Sequence, residues 1–150
     1  MTVKIARTFF IAVVAFVAGA IAVAGHDAMP QKISKADIGG AIFERADVVE
    51  STHDGNTTLD VTSFLSTDKK FGSGMYNSGA VRYDITEPYG VDEFMYFLEG
   101  SVTLTSGDGT VQIINAGEGV TIPKEWTGVW QTEGYTKIWV IYSEDGSGLE

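Results

Sequence analysis

The chain has no cysteine, only two histidines and only three prolines among its 150 residues. Without cysteine there is no disulfide, no thiolate nucleophile and no thiolate ligand, so the fold is held by its core alone. With only His26 and His53 available, any metal centre built on three histidines is excluded. Positive charge is also scarce: 10 Lys and Arg stand against 20 Asp and Glu, a formal net charge of −10. So acidic a chain has no basic patch for nucleic acid or anionic lipid, and its balance favours cationic or neutral polar ligands. There is no internal repeat, no low-complexity segment and no linker, and the length suits one domain with a real core rather than two.

What is present begins with "MTVKIARTFFIAVVAFVAGAIAVAG". Lys4 and Arg7 precede an uncharged stretch from Thr8 to Gly25, and Ala22-Val23-Ala24 has the small-x-small pattern of a cleavage site. Residues 1–24 read as an export signal, or as an N-terminal anchor if left uncleaved, since the stretch is just long enough to span a bilayer. The flanking charges stay on the cytoplasmic side, which puts the folded part in the periplasm or outside the cell. Cleavage after Ala24 removes two of the 10 basic residues and no acidic one, leaving 8 against 20 and a formal charge of −12.

Residues 25–58 form a weakly patterned extension. Ser34 and Asp37 suit the cap of a short helical turn, stopped by Gly39-Gly40, and "STHDGNTT" (Ser51–Thr58) reads as a turn. From Leu59 the chain breaks into short runs rich in β-branched and aromatic residues: "LDVTSFL", "AVRYDI", "EFMYFLEG", "SVTLTS", "TVQIINA", "GVTIP", "TGVWQT" and "KIWVIYS". "TSGDGT", with Asp108-Gly109 at its tip, is a hairpin turn. The pattern predicts an all-β sandwich or small barrel over residues 59–143, followed by a disordered tail, 144–150.

The ordered set Glu93, Leu98-Glu99-Gly100, Ala116-Gly117-Glu118, Ile122-Pro123, Trp130 and Lys137-Ile138, with "FGSGMYNSG" (Phe71–Gly79) upstream, resembles the cupin superfamily. Within it, the match is to the subgroup of ureidoglycine aminohydrolase and the ethanolamine-utilisation cupins. The resemblance implies a double-stranded β-helix, a jelly-roll barrel with a ligand pocket inside, and pairing of the barrels as homodimers. Metal-binding cupins carry two histidines one residue apart, then a glutamate, and a third histidine in the second motif. Those positions fall here on Glu87, Tyr89, Glu93 and Gly128, so no metal and no cofactor is expected.

Strand alternation extends the set. With Glu87 and Tyr89 inward, Val81, Tyr83 and Ile85 share their face; Glu93 brings Met95 and Phe97, and Gly128 brings Trp130. Lys137 shares a face with Trp139 and Ile141, which parity alone does not place; the resemblance puts it inside. The expected site has Tyr83, Tyr89, Met95 and Trp130 as walls and Glu87, Glu93 and Lys137 as polar groups, with Glu93 and Lys137 the candidates for acid-base catalysis. Desolvation would raise the pKa of Glu93 and make it a proton shuttle, whereas a neighbouring Lys137 would lower it and make it a charged anchor. The alternative is a satisfied buried ion pair in an ordinary barrel core. Three functions follow: an exported cupin binding a small polar metabolite, an aminohydrolase-like enzyme on a small nitrogen-containing substrate, or a structural dimerisation module with a filled barrel.

Overall fold

A computed structural model describes residues 29–149; the expected export segment, 1–24, and His26 lie outside the described residues. The described chain opens with one turn of helix, α1 (Lys35–Ile38). The expected cap forms there: the Asp37 N–H donates to Ser34 Oγ at 3.1 Å and the Ser34 N–H to Asp37 Oδ2 at 2.7 Å. After Gly39-Gly40, a 3₁₀ turn (Ala41–Glu44) inserts Ile42 against Val61 and Met75, with Ile33, Phe43 and Val48 packed around it. The extension is therefore a lid on the outer face of the sheet.

The sheet begins at Val49 rather than Leu59. Strands β1 (Val49–His53) and β2 (Asn56–Leu65) form an antiparallel hairpin, so the expected eight-residue turn shrinks to Asp54-Gly55, both at positive φ. Then come β3 (Phe71–Ser78), β4 (Val81–Ile85), β5 (Asp92–Ser106), β6 (Val111–Asn115), β7 (Gly119–Ile122) and β8 (Gly128–Tyr142). Two pairs of expected short strands are continuous, because Gly100 and Gly134 bend β5 and β8 without ending them. A Cβ on Gly100 would lie 2.0 Å from the Gly134 carbonyl oxygen, so this crossing requires glycine.

All neighbours are antiparallel, in the order β1-β2-β3-β8-β5-β6, with β4 added on β8 and β7 on β5. The long strands β5 and β8 run through both halves, and the architecture is the all-β jelly roll. Its inner face holds two apolar clusters: Ile85, Met95, Phe97, Val102, Leu104, Ile114, Ile122, Trp130 and Tyr135 in one, and Val91, Trp139, Ile141 and Leu149 in the other. Tyr76 and Tyr89 pack against both.

Leu149 corrects the expectation of a disordered tail. It is 8% exposed and packs with Trp139, Ile141 and Val91, which ties the end of the chain to the barrel. Leu149→Ala is expected to cost about 1–2 kcal/mol in urea unfolding, whereas a tail without this contact would show no change.

Candidate functional site

Alternation along β5 turns Glu93, Met95 and Phe97 inward, at 4%, 0% and 0% exposure, and Phe94 and Tyr96 outward. On β8, Lys137, Trp139 and Ile141 are all buried, so the face that parity left undecided is the inner one. Strand register then lines up Asp60, Tyr76, Lys137 and Phe97 side by side across β2, β3, β8 and β5.

From this row Lys137 reaches Glu93, four residues before Phe97 on β5, in an ion pair. Lys137 Nζ lies 2.6 Å from Glu93 Oε1, and the Tyr89 hydroxyl donates to Glu93 Oε2 at 2.5 Å. The ammonium also lies 2.9 Å from Met95 Sδ and within 5.4, 5.6 and 5.9 Å of the ring centres of Trp130, Tyr76 and Tyr135. Removing both charges from water is costly, and the short contacts, the phenol and the ring faces offset that cost. Burial pushes the Tyr89 phenol well above its ordinary range and the adjacent Glu93 carboxylate adds to this, so Tyr89 remains a donor. Trp126 backs Tyr89 edge-on, its ring 6.4 Å away and its Nε1–H donating to Ser106 Oγ at 3.0 Å.

Of the two arrangements expected for Glu93, the structure shows the one with the lysine beside it. Met95, Trp130 and Tyr89 join the pair. Tyr83 pairs with Trp130 across β4 and β8 but is 46% exposed, at the rim rather than in the wall. Glu87 is a correction: it is exposed in the loop after β4 and does not reach the cluster. The strand ends at Ile85, and Pro88 with Gly90 (φ 95°) breaks the alternation that carried Glu87 and Tyr89 on one face.

Sequence reasoning missed Asp60, Tyr76 and Tyr135. Asp60 accepts a hydrogen bond from Trp139 Nε1–H at 3.1 Å. That indole lies flat on Gly74, where a Cβ would come within 2.5 Å of the ring and 2.1 Å of the Val61 carbonyl oxygen. Desolvation pushes the Asp60 carboxyl up to about 6, against the Trp139 hydrogen bond and the charge of Lys137. Tyr76 is likewise pushed up to about 12 by burial. The available signal was the single charge in "LDVTSFL", an acid in the middle of a strand with no other charged residue.

The site does not fit the transition metal that the fold often carries. Of the four expected ligand positions, Gly128 has no side chain, Glu87 is outside, and Tyr89 and Glu93 are bound to each other and to Lys137. Among the described residues no three His, Cys, Asp or Glu side chains converge on a common point. A shallow groove of about 180 Å³ on the exterior, between Asp92, Lys124, Tyr142, Glu144 and Asp145, is separate from this cluster. Its acids are already engaged, by the Lys124 backbone, the Lys124 ammonium, and Ser143 with Ser147.

Residues 68–137 match the model of the EutQ-like cupin domain. The barrel has the cupin-like jelly-roll fold. Solved structures agree on the fold. The EutQ protein of Clostridium difficile superposes with a TM-score of 0.53 at 20% identity, covering 67% of this chain and 79% of that one. Ectoine synthase from P. lautus gives 0.54 at 13% identity over 68% and 72%. A DUF861-family protein of unknown function from Pseudomonas syringae gives 0.57 at 20% identity, over 64% of this chain; the match spans 44% of that protein's length. Among curated proteins none matches.

The raised carboxyl of Asp60 has a signed consequence. The folded state holds a proton that the unfolded state loses near pH 3.8, so this group's contribution is full below that value and is lost as pH rises through about 6. Asp60→Asn, which keeps an acceptor for Trp139, is expected to be more stable than wild type at neutral pH by on the order of 1–3 kcal/mol. Urea unfolding near pH 4 should show the two proteins converging; a constant difference at both pH values would contradict the burial of this charge.

Proposed function

We propose that this is an exported protein whose cupin domain binds a small polar metabolite inside the barrel, at Glu93, Lys137 and Tyr89, with no transition metal. The observation that carries this reading is the buried ion pair beneath partly exposed phenols. A barrel needed only as a scaffold has no use for a desolvated Glu–Lys pair, since an apolar replacement of similar volume is often as stable or more so. Tyr83 at the rim and the partly buried Tyr76 and Tyr89 lead inward to the pair. A ligand with a donor and an acceptor would share Glu93 and Lys137, and ring faces would bury its apolar part.

One observation favours the filled-barrel reading. The side chains around the pair are almost fully covered, with Met95 and Phe97 at 0% exposure. In that case the domain is a dimerisation module and the ion pair a structural element; homodimerisation itself is compatible with both readings. The aminohydrolase-like alternative is the least supported, because the donor set expected to hold its metal is missing.

Thermal unfolding in the presence of amines, ureides, amino acids and sugars tests the two readings. A ligand at about 100 times its dissociation constant is expected to add about 2.7 kcal/mol of stability, and Tyr89→Phe should reduce that gain. No stabilisation by any compound would leave the filled barrel as the better account.

A further inference from the structure

The pair Glu93–Lys137 satisfies its own charges, but a second carboxylate faces the same site. Asp60 stands across Tyr76 from Lys137 in the lateral row on the inner face. Among the described residues it has no ion pair within 4.0 Å, and its side chain accepts from the Trp139 indole N–H. It is half-buried as a residue, whereas Glu93 is fully buried. Asp60 and Glu93 act electrostatically on the same two phenols, Tyr76 and Tyr135, and rim residue Tyr83 acts on both phenols as well. The site therefore holds two carboxylates, one ammonium and a lining of aromatic faces.

We propose that Asp60 is the specificity-determining residue of this site and makes it selective for a small organic cation, such as a primary or quaternary ammonium compound. The inference rests on the barrel-binding reading above. The barrel already shows how it holds an ammonium: Lys137 sits against one carboxylate and over three ring faces. Asp60, paired with Tyr76 across β2 and β3 and hydrogen-bonded by the Trp139 indole, offers the same two elements, a carboxylate and ring faces, to a second cation at the less buried end of the row. An anion would meet the uncompensated Asp60 carboxylate there, and a neutral analogue would gain the ring contacts without the charge. The overall charge of −10 favours approach of a cation.

Affinity then follows the ionisation of Asp60. The groups facing it are Trp139, Lys137 and Tyr135 from β8, Tyr76 from β3 and, farther in, Glu93 from β5; its partner on β1 is Val49, which does not titrate. Because its carboxyl titrates near about 6, cation binding weakens as pH falls through that value.

Calorimetric titration of the purified protein with choline, its neutral isostere 3,3-dimethylbutan-1-ol, and acetate tests this. At a pH about 1.5 units above the Asp60 midpoint, choline is expected to bind at least about tenfold more tightly than the alcohol, with acetate weaker still. One unit below the midpoint that preference should fall by roughly tenfold. Asp60→Asn should abolish the preference at both pH values, and Asp60→Glu should retain it. Equal binding of choline and the alcohol, or a preference unchanged in Asp60→Asn, overturns the assignment of Asp60 while leaving the barrel site standing. Failure of choline alone, with a sugar or carboxylate bound in the wider screen, does the same. Failure of every compound in both experiments overturns both readings.

Discussion

An ammonium buried against a carboxylate is the constraint around which the inner face of this barrel is arranged. Lys137 and Glu93 approach to 2.6 Å on adjacent strands, and neither can be left alone without exposing an uncompensated charge to an apolar interior. The phenol of Tyr89 and the rings of Trp130, Tyr76 and Tyr135 complete the shell around them. The cation beside Glu93 is thus a side chain of the barrel wall.

The rest of the fold serves this placement. Gly100 and Gly134 let β5 and β8 bend past each other, which puts Glu93 and Lys137 on neighbouring strands facing the same interior. Gly74 leaves room for the Trp139 indole, whose N–H in turn fixes Asp60. The N-terminal lid on the outer face and Leu149 at the chain end close apolar surfaces that the strands alone would leave in water.

Much of this was legible in the residues. The alternation of Glu93, Met95 and Phe97 against Phe94 and Tyr96 is strong enough to orient β5 from sequence, and the family resemblance placed Lys137 inside. Other features depend on contacts distant in sequence. Asp60 belongs to the site only because β2 pairs with β3 and β3 with β8, a relation that no local pattern encodes. Glu87 was misplaced because the family's ligand spacing was counted back from Glu93 through Gly90 and Pro88, where the chain has left the strand. The facing ends of the first hairpin, within Ser51–Thr58, looked like one turn, since a stretch rich in Ser and Thr lacks apolar alternation. A single leucine after a Gly- and Ser-rich stretch gave no sign that the tail docks.

The central claim is that the Lys137 ammonium is held by Glu93 inside the barrel, and it can be observed directly. In ¹H–¹⁵N spectra tuned to lysine side chains near neutral pH, exposed ammonium groups exchange too fast to be seen, whereas a buried, hydrogen-bonded one is protected. One protected ammonium signal is expected, absent in Lys137→Met and lost or strongly broadened in Glu93→Gln. A wild-type spectrum without such a signal, or one unchanged in Glu93→Gln, would contradict the account.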